Sequence, residues 1–154
     1  MAWAPEDSLV IGISSRALFK LDREDEIYRA DGLQAFVDYQ CQHEDEPVEQ
    51  GVAFPLISGL LGLNGTLSNN GKLAIEVVIV SKNHPACAIR INKSLQHYGL
   101  PIRRAVFTGG ADPLPHLKSL QVGLFLSSEE SAVSASYSYA TRVGYPTGPR
   151  DLLW

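Results

Sequence analysis

Cysteine is scarce in this chain, with only Cys41 and Cys87 in 154 residues. Neither stands in a CxxC pair or beside histidines at ligand spacing, so the sequence argues against a zinc site and against a secreted disulfide framework. Both thiols are expected to be reduced and buried. Long apolar runs are missing too. No segment approaches the length needed to span a bilayer, and the amino terminus, MAWAPEDSLV, lacks the basic-then-apolar order of a secretion signal. A cytoplasmic protein without membrane attachment is expected. Basic clusters are equally rare: the net charge is −4, and the pair Arg103-Arg104 abuts a strand instead of forming a patch. Affinity for nucleic-acid phosphates comes mainly from clustered Lys and Arg, so nucleic acid is not an expected partner. The chain also shows no internal repeat and no low-complexity segment.

What is present is an ordinary globular composition, 45% hydrophobic and 19% charged. A single domain over residues 1–154 is expected, able to bury roughly 68–70% of the surface its unfolded chain exposes. Four apolar segments read as strands. They are Val10–Ile13, then Leu73–Ser81 in LAIEVVIVS, then IRRAVFTGG and VGLFLSS. The second is the strongest because its β-branched run is nearly unbroken, as in strands covered on both faces. Between the strands lie helical patterns. One is expected near Asp31–Gln42, and a second in VAFPLISGLLGLN with Phe54, Ile57, Leu60, Leu61 and Asn64 on one face. A third follows Pro85 and stops at Gly99, with Ala88, Ile91, Leu95 and Tyr98 on one stripe, and a short fourth lies in PLPHLKSL. Strands alternating with helices predict βαβ units and a mainly parallel sheet in an α/β, Rossmann-like, three-layer fold. The tail, residues 132–154, is weakly patterned, with Val143 as a candidate for a short edge strand.

In such a sheet, ligands sit at the carboxyl ends of the strands. Four polar loops should therefore converge on one rim: Ser14-Ser15-Arg16, Ser81-Lys82-Asn83, Thr108-Gly109-Gly110, and Ser127 to Glu130. Hydroxyls, glycine-turn amides and a few cations suit an anionic phosphoryl group. The same residue types also end strands and cap the helices that follow, as any α/β protein requires.

The segments ISSRALFKLD, YQCQHEDEPVEQGVAFPLISGLLGLN, EVVIVSKNHPACAIRINKSLQHYGLPIRRAVFTGG and LFLSSEE carry a more specific signal. Over residues 9–131 the chain resembles the amino-terminal half of the cytosolic 5'-nucleotidase type I family, whose fold is haloacid-dehalogenase-like. The resemblance implies two similar halves in about double this length, with the phosphatase signature in the second. It also implies what hydrolysis requires: an Asp nucleophile at the first strand end, an acid/base Asp two residues on, a hydroxyl after the second strand, a Lys, and a carboxylate pair for Mg²⁺. Laid on this sequence, the nucleophile falls at Ile13 and the acid/base at Ser15. The hydroxyl is Ser81. The Lys position falls at Pro113, with Lys118 the nearest candidate, and the metal pair falls on Ser127 and Ser128. One position of the set is retained.

A 5'-nucleotidase-family half without the phosphatase carboxylates is therefore expected. It would bind a nucleoside monophosphate or phosphate, or pair with a catalytic half or with itself, and no cofactor is expected. The alternatives are an active Mg²⁺-dependent 5'-nucleotidase and a protein-interaction module on the same fold. Other polar residues read as structural. Ser14 or Ser15 would need a nearby base to act as a nucleophile, and His84 in KNHP, the only rim histidine, reads as a helix-start residue. His43 lies among acids, and His97 and His116 lie on helix surfaces. The run Asp22, Glu24, Asp25 and Glu26 reads as a solvated face, and Asp112 as the cap of the following helix.

Overall fold

The structure, a computed structural model, describes residues 8–67, 74–129 and 140–143. Five strands form one all-parallel sheet in the order β3-β2-β1-β4-β5. They are β1 (Leu9–Ile13), β2 (Ile75–Ser81), β3 (Arg104–Phe107), β4 (Leu124–Ser127) and β5 (Ala140–Arg142). All seven residues of β2 are buried, as its continuous β-branched run requires. Between the strands lie α1 (Ser15–Leu18), α2 (Asp22–Gln42), α3 (Phe54–Gly62), α4 (Asn64–Leu67), α5 (Ala88–His97) and α6 (Leu114–Ser119).

Period-two alternation divides the core into two layers. Ile11, Ile13, Val77 and Ile79 face a larger cluster built with Leu18, Phe36, Ile57 and Ile91. Val10, Val78 and Val80 face a smaller one with Leu117, Val122 and Phe125. Helices thus cover both faces, as expected for a haloacid-dehalogenase-like, Rossmann-type α/β fold. The expected start of α5 after Pro85 and its stop at Gly99 are both seen. Leu100 N–H bonds the Leu95 carbonyl at 2.9 Å and Gly99 N–H that of Gln96 at 3.2 Å, the pair of bonds that closes a Schellman motif.

Several details differ from the sequence expectations. The helix expected near Asp31–Gln42 begins at Asp22 and is broken at Gly32, whose φ of 87° and ψ of −174° are not helical. Its first half is mostly charged and exposed, so apolar periodicity gives it little signal. In α3 the buried residues are Phe54, Ile57 and Leu61. Asn64 instead pins the start of β2, donating Nδ2–H to the Ile75 carbonyl (2.7 Å) and accepting from Ile75 N–H (2.9 Å). Cys87 is buried as expected, but Cys41 is exposed. Glu24 leaves the expected solvated face: it is buried and ion-paired with buried Arg90. The edge strand anticipated near Val143 is β5, which ends one residue before it. The rest of the tail lies outside the described residues.

Candidate functional site

Parallel pairing sets Ile13, the last residue of β1, opposite both Ile79 and Leu126, so β1, β2 and β4 end within two residues of one another on the same side of the sheet. The rim expected from the sequence follows. Ser15 Oγ lies 2.7 Å from Ser81 Oγ, Ser14 N–H bonds the Leu126 carbonyl at 3.0 Å, and Thr108 N–H bonds that of Ser81 at 2.9 Å. All four rim loops converge.

At the position that the resemblance gives to a nucleophile, Ile13 is wholly buried in the larger core cluster. Its place is fixed by packing. Ser14 caps α1, its Oγ accepting from Ala17 N–H at 3.3 Å. Ser15 and Ser81 form a closed network with Asn83, whose Nδ2–H donates to Ser15 Oγ (3.0 Å) and whose backbone N–H donates to Ser81 Oγ (3.1 Å). Two hydroxyl protons are available in this network and one closes the Ser15–Ser81 bond. The other remains to donate to a ligand or water. No histidine joins the network: His84 Nδ1 accepts from Ala86 N–H at 3.1 Å, capping the one-turn helix Pro85–Cys87 as a helix-start residue should.

The glycine turn does different work from the cradle suggested by the sequence. Gly109 N–H and Gly110 N–H donate to the carbonyls of Asn83 (3.0 Å) and Lys82 (2.7 Å), so with Thr108 they latch the β3 loop to the β2 loop. Their φ values of 63° and 99° require glycine-like backbone. These two glycine amides are therefore not free to bind an anion. Arg16 is itself held by three carboxylates, Asp22 (3.8 Å), Asp25 (3.7 Å) and Glu129 (3.6 Å). Lys82 forms no ion pair among the described residues and is exposed beside the serine network.

The other family positions are accounted for as follows. Ser127 is buried, its Oγ accepting from Glu129 N–H at 3.1 Å, and Ser128 follows half-buried. Pro113 lines the small rim pocket, whereas Lys118 is exposed on α6 and lines neither pocket. Asp112 caps α6, accepting from Leu114 N–H at 3.0 Å. Glu130 lies outside the described residues. As for Mg²⁺, among the described residues the rim loops offer hydroxyls and one carboxylate, Glu129, already facing Arg16. Among the described residues no group of three or more His, Cys, Asp or Glu side chains is placed to hold a metal ion. That donor set does not fit an ion that prefers carboxylate and water oxygens.

Beside the rim opens a cleft of about 220 Å³. One wall comes from the broken helix α2, with Tyr28, Leu33 and Phe36, and the other from the latched loops, with Lys82, Asn83, His84 and the glycine turn. Sequence reading missed this cleft. Its signal was the single Gly32 inside a helical pattern, which marks a break only once the helix is known to extend on both sides.

The sequence model of the 5'-nucleotidase family matches residues 1–147. Human cytosolic 5'-nucleotidase 1B is 30% identical over 132 residues, which is 84% of this chain and 22% of that protein. The human relative is therefore far longer than the two-half layout implied by the resemblance. No solved structure matches. A match along nearly the whole chain, on a parallel sheet with the expected rim, leads to one conclusion: the chain belongs to the 5'-nucleotidase family.

Proposed function

We propose that this chain is a non-catalytic domain of its family, binding a nucleotide or phosphate group and assembling with a catalytic portion, without itself hydrolysing phosphate esters. The observation that carries the reading is the burial of Ile13 in the core at the position where the family resemblance calls for a nucleophilic carboxylate. Hydrolysis by attack of an aspartate needs that carboxylate and an acid to protonate the leaving alcohol. Ser15, two residues on, is tied into the hydroxyl network. The free hydroxyl proton of that network and Lys82, which forms no ion pair among the described residues, are donors for an anion. Binding would be weak and independent of Mg²⁺, because few contacts must offset the anion's dehydration and the cost of association.

The assembly part of the reading rests on a second observation. Residues 51–71 contain no charged side chain, and Leu56 on α3, Leu63 between α3 and α4, and Leu67 on α4 stand 48%, 47% and 54% exposed. An apolar helix on both faces calls for burial on both. The occupant proposed is the catalytic portion of a 5'-nucleotidase, since the human relative contains far more chain than matches here. The relative's name supports a cytosolic setting. Among the described residues no helix is long and apolar enough to cross a membrane.

The test of the binding part is a titration of the chain with inorganic phosphate and ribose 5-phosphate, followed by amide shifts. Signals of Ser15, Ser81 and Lys82 should move at millimolar concentration, equally with and without Mg²⁺, and less in Ser81→Ala. Unmoved rim signals would remove phosphate binding and leave assembly as the function.

A further inference from the structure

Tyr28 and Phe36 are eight residues apart on α2. At 1.5 Å per residue, a straight helix would separate them by about 12 Å along its axis. Their ring centroids lie 5.9 Å apart, with the planes at 89°. The break at Gly32 brings them together: its φ of 87° is a conformation L residues rarely adopt, and no atom crowds the position where its Cβ would be. The glycine therefore serves a bend in the backbone and not a tight contact. The result is an aromatic corner, extended by Leu33, that faces Lys82, Asn83 and His84 across the cleft.

The exposure within this corner is unusual for residues packed on their own helix. Phe36 is buried, while Tyr28 and Leu33 remain 50% and 45% exposed. The acidic groups of the cleft are already matched. Glu24 pairs with Arg90, and Asp25 pairs with Arg29 at 3.0 Å and Arg16 at 3.7 Å. Lys82 lines the cleft and forms no ion pair among the described residues. Beside it, Asn83 has a side-chain amide N–H committed to Ser15, which leaves its side-chain carbonyl as an acceptor.

We propose that this corner is a binding site for a planar ring, so that an aromatic ligand with an anionic end places its ring on Tyr28, Leu33 and Phe36 and its anion at Lys82. The inference rests on the reading of the rim as a nucleotide or phosphate site and adds a ring subsite to it. Volume sets the ligand class: about 220 Å³ falls below the roughly 300 Å³ at which pockets begin to enclose drug-sized molecules. The cleft thus takes one ring system of nucleobase size and leaves the remainder of the ligand against the rim. An edge-to-face aromatic pair suits this role, because a T-shaped arrangement leaves a ring face available for stacking.

The probes are AMP, adenosine and ribose 5-phosphate, followed by calorimetry and by side-chain and amide shifts. AMP and adenosine should move Tyr28, Leu33 and Phe36, and only the phosphate-bearing ligands should move Lys82. Tyr28→Ala should weaken AMP about tenfold, within the range of one base–aromatic stack, and leave ribose 5-phosphate unchanged. Tyr28→Phe should keep the affinity. Leu33→Ser provides a second truncation of the same wall, and circular dichroism checks that each variant is folded. If AMP binds Tyr28→Ala and Leu33→Ser as tightly as the parent while ribose 5-phosphate still moves Ser81 and Lys82, the ring subsite is refuted and the rim reading stands. If adenosine binds at Tyr28 while phosphate moves nothing, the ring subsite stands and the rim reading falls. Silence of all three ligands at millimolar concentration overturns both.

Discussion

Glu24 carries the sharpest stability prediction, because the sequence places it in a solvated acidic run and the structure buries it. Its side chain is 6% exposed and that of its partner Arg90 is 8%. The pair joins α2 to α5 across the cleft side of the sheet. Removing one member of a buried pair leaves a charge without compensation, which costs about 3–5 kcal/mol. Arg90 would keep two contacts: its Nε–H donates to the Glu46 carbonyl at 2.9 Å, and its guanidinium lies 5.8 Å from the Tyr39 ring centroid. Glu24→Ala is therefore expected at the lower end, about 3 kcal/mol. For a chain of this size that lowers Tm by about 6–12 °C. Glu26→Ala, three-tenths buried with Arg23 3.8 Å away, serves as the exposed control and should cost under about 0.5 kcal/mol. Replacing both partners by Glu24→Leu and Arg90→Met should recover most of the loss, since apolar replacement of a buried pair is often neutral. The assay is urea unfolding followed by far-UV circular dichroism, with slopes compared among variants. A Glu24→Ala loss below about 1 kcal/mol, close to the Glu26 control, would refute the burial of this pair.

Burial pushes the Cys87 thiol up from 9.0 to about 12, with desolvation the largest cause. Because the unfolded chain ionises first, this group favours the folded state up to pH 9 and loses that contribution as pH rises from 9 toward 12. At pH 8 a thiol reagent should modify exposed Cys41 at once and Cys87 only on unfolding; equal rates would contradict the packing. Asn64→Ala removes two hydrogen bonds to the Ile75 backbone and should cost about 1–3 kcal/mol by the same urea assay, whereas no loss would show that the β2 start is held otherwise.

The sheet was legible in the sequence because its signals are local. The run Ile75–Ser81, the stop at Gly99 and the small polar residues after each strand report on their own neighbourhood, whereas the strand order comes from the structure. The rim was legible for the same reason. What escaped depends on chain that is distant in sequence. Glu24 meets Arg90 across 66 residues, so no window around either reveals burial. The glycine turn after β3 looked like an anion cradle until the carbonyls of Lys82 and Asn83 were seen to accept its amides. Glu129 was passed over because a carboxylate after two serines shows nothing of its approach to Arg16. The aromatic corner was hidden twice, by the charged first half of α2 and by a break whose effect appears only in three dimensions.

The central claim, a family domain without its nucleophile, is tested most directly by phosphate release from AMP and IMP by the purified chain in excess Mg²⁺. Release equal to a buffer blank is predicted, and Ile13→Asp with Ser15→Asp should restore none, because Ser127 and Ser128 supply no carboxylate for the metal. Turnover that survives repurification, is abolished by EDTA and falls on mutating Ser15 or Ser81 would contradict the account.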